Sequence, residues 1–126
     1  MLTLTVLPEP LAICRLSVDE AVPDWAMIGE FVSITHTGDE LSIVCAEEHV
    51  PSDVNADREW RALKVEGPLD LALTGVLASL ATPLAAARIN IFVISTFETD
   101  YLLVKGYNLT RTSEVLRQAG QVVAEA

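Results

Sequence analysis

The chain has 126 residues, of which 51% are hydrophobic and 21% are charged. This composition can bury the core of one ordinary domain or of two small ones, and it argues against intrinsic disorder. Eighteen acidic residues against eight basic ones give a formal net charge of −10. Because an acidic surface repels phosphate groups, we expect no nucleic-acid partner and no anionic membrane partner. The sequence shows no signal peptide and no membrane-spanning segment, which favours a cytoplasmic protein.

Short apolar segments separated by turns dominate the first half. Residues 2–7 alternate Thr with aliphatic side chains and stop at a Pro-Glu-Pro turn, which is typical of a strand. Gly38 and Asp39 lie between two apolar segments, as in the turn of a hairpin. The sequence therefore predicts strands over 2–7 and 11–16, at most two turns of helix within 22–28, a hairpin of 30–37 with 40–46, and a polar linker over 51–59.

The second half has clearer periodicity. Pro68 suits the first turn of a helix, where its missing N–H costs nothing. Aliphatic side chains recur at helical spacing after it, and Pro83 should bend or interrupt the last turns. The predicted elements are a strand over 60–66, a helix over 69–87, a hairpin of 89–96 with 100–105, and a helix over 110–119 that Gly120 ends.

An internal repeat suggests two units of similar plan. A shift of 61 positions superposes two predicted hairpins and gives five identities, which indicates a duplication. We therefore predict a first unit over residues 1–58, which has largely lost its long helix, and a second unit over residues 59–126. The five aligned residues are Phe31, Val32, Thr35, Asp39 and Leu41 on Phe92, Val93, Thr96, Asp100 and Leu102.

A βαββαβ unit that occurs twice resembles the ferredoxin-like plan of the ACT domain. Three segments are similar to motifs of small tandem-ACT proteins: residues 60–69 (WRALKVEGPL), residues 94–104 (ISTFETDYLLV) and, in the first half, residues 31–44 (FVSITHTGDELSIV). The similarity extends to the ACT pairs of aspartate kinases and of cytosolic arginine sensors. It implies an α+β fold with antiparallel sheets and helices on one face. The reduced helix of the first unit departs from the family's pattern.

The resemblance also implies a non-catalytic regulatory module that binds a free amino acid between two ACT units and is read by an unknown protein partner. Low charge on the long helix leaves room for a homodimer. The alternative is an ACT-type dimerisation scaffold without a small-molecule ligand. The candidate ligand-binding residues are Gly67, Leu69, Asp70, Thr74, Gly75, Thr96, Phe97 and Asp100, with Ser42, Ile43 and Val44 from the first half.

The residue types fit an amino acid independently of the resemblance. The turn over residues 67–70 leads into the predicted helix, whose unpaired N–H groups suit a ligand carboxylate. Asp70 could contact a ligand amine or simply favour the helix dipole. Asp100 could bond the α-ammonium group or stabilise its own turn. Gly75 fits close approach of a ligand or tight helix packing, and strand packing is the stronger interpretation for residues 42–44.

Catalytic and metal-binding patterns are weak. His36 and His49 have no ligand partner at metal spacing, and Ser95 lacks the flanking glycines of a nucleophile elbow. Cys14 and Cys45 sit among apolar neighbours, which favours buried, inert thiols. The sequence therefore predicts no catalytic residue, no metal site and no cofactor.

Overall fold

The computed structural model of the chain describes residues 1–70 and 74–125. Two helices in this part are α1 (Val76–Ala86) and α2 (Leu109–Gln118), and short 3-10 helices span Asp24–Met27, Glu47–His49 and Gly106–Asn108. The strands are β1 (Thr3–Val6), β2 (Leu11–Leu16), β3 (Ser33–His36), β4 (Leu41–Ala46), β5 (Ala56–Val65), β6 (Phe92–Ser95), β7 (Asp100–Lys105) and β8 (Val122–Glu125).

The chain divides into two compact units. The N-terminal unit holds residues 9–60, and the C-terminal unit holds residues 61–126 together with residues 1–8. The sequence left open which half the first strand joins. It joins the C-terminal unit. The predicted division at residue 58 placed residues 1–8 in the first unit, whereas they belong to the second.

The C-terminal unit has the order β5-α1-β6-β7-α2-β8, which is the predicted βαββαβ plan. β7 pairs with β5 and β6, while β1 is an additional strand, antiparallel to β5 and parallel to β8. Leu4 shows why β1 belongs here, since it lies opposite Val65 on one side and Val123 on the other, and all three side chains are buried. The core side chains include Leu4, Val6, Leu63, Val65, Leu80, Leu84, Leu102, Val104 and Leu116.

Both helices of this unit bury one face. Leu80 and Leu84 stand one turn apart on α1 and are fully buried, as the helical spacing predicts. α2 ends where Gly120 adopts φ +93°, a conformation that favours glycine, and Gln121 N–H then bonds the Leu116 carbonyl at 3.0 Å.

In the described part of the chain, no helix is both long enough and apolar enough to cross a membrane.

The N-terminal unit is a smaller sheet with less helical cover. β3 pairs with β4, β4 pairs with β2, and β2 pairs with the first half of β5, all antiparallel. The 3-10 helix Asp24–Met27 takes the place of a long helix and buries Ala26 against the sheet. The predicted reduction of the first helix is therefore correct, and the predicted α+β fold of two ferredoxin-like units is confirmed.

The long helix begins later than predicted. The prediction started it at residue 69, yet residues 69, 70, 74 and 75 are not helical and α1 begins at Val76; residues 71–73 lie outside the described residues. Gly75 adopts φ +80°, which is incompatible with a right-handed helix. Pro68 is therefore not in a first helical turn, and α1 continues three residues beyond Pro83.

The predicted linker over residues 51–59 is wrong in its second half, because β5 already begins at Ala56. Polar side chains alternate here between exposed and half-buried positions, as expected for a strand that faces solvent on one side. A bulge interrupts the pairing of β5 with β2, and Glu59 in it adopts φ +67°. The Glu59 N–H donates to Glu47 Oε1 at 2.5 Å, which fixes the bulge.

The two hairpins do repeat, but at a shift of 59 residues rather than 61. Ser33 pairs with Val44 in the first hairpin, and Phe92 pairs with Leu103, 59 residues later, in the second. The 3-10 helices that follow the two hairpins begin at Glu47 and Gly106, with the same offset. The predicted alignment was therefore wrong by two positions. Because strand side chains alternate with a period of two, that error preserved the face on which each residue lies.

Candidate functional site

A pocket of about 220 Å³ opens in the C-terminal unit where the segment before α1 meets the turn between β6 and β7. The segment after β5, the first residue of α1 and the hairpin turn each contribute to its wall. Its lining residues are Leu69, Asp70, Val76, Ser95, Thr96, Phe97, Glu98, Thr99 and Asp100.

The hairpin turn is held by its own threonines. Thr96 N–H donates to the Thr99 carbonyl at 2.8 Å, the Thr96 hydroxyl donates to the same carbonyl at 3.0 Å, and Thr99 N–H donates back to the Thr96 hydroxyl at 3.3 Å. The Thr99 side chain is 5% exposed, and its hydroxyl bonds the Val65 carbonyl of β5 at 2.5 Å. These bonds fix the turn on the sheet.

A backbone hydrogen bond joins the two walls of the pocket, since Leu69 N–H donates to the Glu98 carbonyl at 2.7 Å. Gly67 permits this approach. A Cβ atom at Gly67 would lie 3.0 Å from the Leu69 nitrogen, 3.1 Å from the Glu98 carbonyl oxygen and 3.3 Å from Thr99 Cβ. A side chain at position 67 would therefore push the two walls apart.

Asp100 is the half-buried carboxylate of the pocket. It lies opposite Ser95 across the hairpin, and the Ser95 hydroxyl donates to Asp100 Oδ1 at 2.6 Å. This bond holds the carboxylate in a defined orientation. A carboxylate offers about four acceptor sites, so Asp100 keeps acceptor capacity beyond this one bond.

The N-terminus of α1 supplies a partial positive charge, opposite in sign to the Asp100 carboxylate. Val76, its first residue, lines the pocket, and the preceding Gly75 provides no side-chain cap. The first turn of α1 contains no acidic residue. The first N–H groups of this 11-residue helix and its dipole therefore carry a partial positive charge that no side chain of that turn neutralises.

The formal charges in the lining all have one sign. Asp70, Glu98 and Asp100 are acidic, and the lining contains no Lys, Arg or His. Asp70 and Glu98 are exposed, while Asp100 is half-buried. The pocket thus combines carboxylates for a cationic group with a helix terminus that suits a carboxylate.

The structure brings five of the predicted site residues to this pocket: Leu69, Asp70, Thr96, Phe97 and Asp100. Gly67 does not line the pocket, but it permits the hydrogen bond between Leu69 and Glu98 that joins the two walls. Thr74 and Gly75 precede the lining residue Val76 and are not themselves in the described lining. The helix N-terminus that we expected at residues 67–70 lies instead at Val76, where α1 begins.

Sequence reasoning missed four lining residues: Val76, Ser95, Glu98 and Thr99. Ser95, Glu98 and Thr99 belong to the same hairpin motif that singled out Thr96 and Asp100, so taking the whole turn would have found them. Val76 was counted among the aliphatic side chains at helical spacing after Pro68, and the glycine just before it was the available signal.

The three candidates from the first half, residues 42–44, lie on β4 of the N-terminal unit and do not line this pocket. Ile43 is fully buried and Val44 is 3% exposed. Ile43 packs in the core cluster of its own unit, as the strand-packing interpretation expects. A ligand contact by these residues stays a prediction.

The two cysteines are buried neighbours in the N-terminal unit. Cys14 lies opposite Ile43, and Cys45 lies two residues further along β4. The Cys45 thiol hydrogen-bonds the Cys14 sulfur, which lowers the pKa of Cys14, and the same bond together with burial raises the pKa of Cys45 well above its usual range. Within residues 1–70 and 74–125, no three metal-ligating side chains cluster.

Comparison with known proteins agrees with this fold. The ACT domain family matches residues 55–118, and a family of N-terminal domains matches residues 9–53. A βαββαβ unit with a pocket at the hairpin turn makes the chain a small α+β protein of ferredoxin-like plan. The chain belongs to the ACT domain family.

Relatives extend the comparison over most of the chain. It is 29% identical over 122 residues to the human "Cytosolic arginine sensor for mTORC1 subunit 1", covering 93% of this chain but only 33% of that protein. A crystal structure from Agobacterium tumefaciens is 43% identical with a TM-score of 0.93, and the match covers 99% of this chain and 93% of that one. The regulatory subunit of aspartate kinase from Thermus flavus, 9% identical with a TM-score of 0.64, shares the fold; 93% and 96% of the two chains are covered.

Proposed function

We propose that the chain is a non-catalytic regulatory module that binds a free amino acid in the pocket of its C-terminal unit. One observation carries the proposal: the half-buried Asp100 carboxylate and the N-terminus of α1, whose cap residue Gly75 has no side chain, line the same small pocket. An amino acid carries an ammonium group and a carboxylate on one carbon. Asp100 would bind the ammonium group, and the N–H groups at the start of α1 would bind the carboxylate.

The size of the pocket supports a ligand of this class. Its volume of about 220 Å³ is smaller than the roughly 300–1,000 Å³ typical of pockets for drug-sized ligands. Thr96 and Phe97 would add backbone groups at the turn, and Leu69 an apolar contact. The ring of Phe97 is 81% exposed, so a bound side chain would meet an aromatic surface at the mouth of the pocket.

The charge of the pocket favours a ligand with a second positive charge. Asp100 alone can bind the α-ammonium group, and the exposed Glu98 carboxylate also lines the pocket. We therefore expect basic amino acids to bind more tightly than neutral ones. The relative named as an arginine sensor is consistent with this preference.

Occupancy of the pocket would be read by a protein partner. Coupling requires that the partner prefer either the occupied or the empty state of the chain, because a ligand shifts only those equilibria in which it binds the two states differently. The relatives named above include a cytosolic sensor and the regulatory subunit of an enzyme. By analogy we place this chain in the cytoplasm, with a regulatory role and no chemistry of its own.

A thermal-shift panel against the twenty amino acids tests the proposal. At about 100 times the dissociation constant, a ligand that binds only the folded chain adds about 2.7 kcal/mol, which raises the melting temperature by several degrees. Selective stabilisation by one or two basic amino acids would support the proposal. A flat panel on folded protein at millimolar ligand would contradict it and favour the scaffold without a ligand.

A further inference from the structure

Formal charge is distributed unevenly between the two units. Residues 9–60 contain 12 of the 18 acidic residues and two of the eight basic ones, which gives this unit a net charge of −10. Residues 1–8 and 61–126 contain six acidic and six basic residues and are neutral. The N-terminal unit therefore carries the whole net charge of the chain, and its field attracts a cationic partner.

The two basic residues of this unit both donate to backbone carbonyls. Arg15 Nη2 donates to the Asp39 carbonyl at 3.2 Å, and Arg58 Nη2 donates to the Pro51 carbonyl at 2.9 Å. Between these arginines, residues 16–57 contain ten acidic residues and no Lys or Arg. Two guanidinium groups cannot neutralise twelve carboxylates, so most of the negative charge is available to a partner.

A groove of about 340 Å³ opens in the N-terminal unit between residues 15–20, at the end of β2, and residues 53–55, just before β5. Arg15 N–H donates to the Asn55 carbonyl at 2.9 Å, which joins the two segments. Leu16 and Val54 form the apolar part of the lining. Both side chains are half-buried and pack against the core cluster of the unit, so this apolar surface is held in place.

Two exposed carboxylates, those of Glu20 and Asp53, also line the groove. Ser17 N–H donates to Glu20 Oε2 at 3.0 Å, which holds the Glu20 side chain beside the groove. Among the described residues, the Asp53 carboxylate forms no hydrogen bond and no ion pair. Both carboxylates therefore keep acceptor sites for a donor that enters the groove.

We infer that the N-terminal unit is the docking surface for a basic segment of a protein partner, and that the groove binds a lysine or arginine side chain of that segment. The aliphatic stem contacts Leu16 and Val54, and the cationic group binds the carboxylates of Glu20 and Asp53. A segment with several cations matches a unit whose acidic residues extend well beyond the groove.

The inference deepens the proposed function, because it gives the chemistry of the partner that would read the amino-acid pocket. Docking is measured without amino acids, so the two proposals can fail separately. Peptide binding together with a flat thermal-shift panel would leave the docking surface and remove the ligand. Ligand binding without peptide binding would do the reverse.

Fluorescence anisotropy of a labelled peptide tests the docking. The probe is a short peptide of Gly and Ser with four lysines and blocked termini, titrated with the full chain. We expect affinity to fall about tenfold as salt rises from about 0.05 M to about 0.5 M, because salt screens the attraction. Acetylation of the four lysines removes their charges and should abolish binding. Equal binding of the acetylated peptide, or no binding of the basic one, would overturn the inference.

Carboxylate removal tests the groove itself. Glu20→Gln/Asp53→Asn keeps the shape of both side chains and should weaken peptide binding about fivefold, since two exposed ion pairs are lost. Glu114→Gln/Glu125→Gln is the matched control, because it removes the same charge from exposed positions of the neutral unit. Equal losses would mean that net charge alone attracts the peptide, which would contradict the groove. Asp53→Asn alone, where no hydrogen bond is lost, serves if the double variant does not fold.

A shorter cation tests the apolar lining. Diaminobutyric acid in place of each lysine keeps the charge of the peptide and removes two methylene groups from every side chain. We expect about threefold weaker binding, because the shorter stem loses apolar contact with Leu16 and Val54. Equal affinity of the two peptides would show that no stem enters the groove.

Two other occupants give distinct results. Spermidine that binds as tightly as the peptide, and that loses the same affinity in Glu20→Gln/Asp53→Asn, would assign the groove to a free polyamine and overturn the inference. Sedimentation of the same variant tests a second copy of the chain. Association between copies that this variant weakens, and Glu114→Gln/Glu125→Gln does not, would assign the groove to that contact instead.

Discussion

Asp100 and Asp39 show how position decides the role of a residue. At the observed shift of 59, the position of Asp100 corresponds to Leu41, which is 2% exposed, rather than to Asp39. The C-terminal unit thus has a carboxylate where the N-terminal unit has a core side chain. The two hairpins share a backbone plan, but at this position they differ in polarity and burial.

Removal of the Asp100 carboxylate should therefore weaken amino-acid binding. A charge-assisted hydrogen bond contributes about 1.5–3 kcal/mol, so Asp100→Ala should reduce affinity roughly 10- to 150-fold. Titration calorimetry with the amino acid that the panel selects measures the change. Asp39→Ala is the matched control, since Asp39 is exposed in the turn of the other hairpin. Equal affinity of folded Asp100→Ala and the unmodified chain would remove Asp100 from the site.

At the scale of elements, the sequence predicted strands more closely than the long helix. β2 and β4 end at Leu16 and Ala46, where the predicted strands over 11–16 and 40–46 end, and β7 follows the motif around Asp100. The start of α1 was missed because Leu and Ala fit a helix over residues 69–75 locally. The contrary signal was Gly75, since a glycine inside a predicted helix often marks its end or start. Two contacts between segments distant in sequence oppose the earlier helix start. The Leu69 N–H bonds the Glu98 carbonyl, and the Thr99 hydroxyl bonds the Val65 carbonyl.

The sequence predicted two walls of the pocket separately. It could not predict that they meet, because the motif residues lie in two segments that tertiary contacts bring together. The hairpin motif identified Thr96 and Asp100, and the turn after β5 identified Leu69 and Asp70. The helix terminus was placed seven residues too early, at residue 69 instead of Val76. Periodicity cannot find that boundary, because the backbone conformation of Gly75 determines it.

The link between the segment after β5 and the hairpin turn makes a prediction about Gly67. Gly67→Ala places a Cβ atom 3.0 Å from the Leu69 nitrogen and 3.1 Å from the Glu98 carbonyl, so the bond between these two groups must lengthen. Overpacking of this kind costs about 1–3 kcal/mol, and we expect a loss of that size in urea unfolding. Gly38→Ala in the other hairpin is the control. Its Cβ would meet nothing within 4 Å, so its effect should stay within about 0.5 kcal/mol. Equal losses in the two variants would rule out the steric explanation.

The net charge of −10 acts on the whole molecule. Acidic side chains outnumber basic ones by ten, so their mutual repulsion opposes the compact state. Such repulsion between exposed charges is screened as the Debye length falls from about 30 Å at 0.01 M salt to about 3 Å at 1 M.

Salt should therefore stabilise the fold itself. Between 0.01 M and 0.5 M sodium chloride we expect the melting temperature to rise by about 3 °C, a change that corresponds to roughly 1 kcal/mol for a chain of this size. A dilute sample separates this effect from any association between copies. An equal osmolarity of sucrose shows how much of the rise comes from general solvent exclusion. A melting temperature that falls with salt would mean that attractive ion pairs outweigh the repulsion, and the excess of acidic residues would then not limit stability.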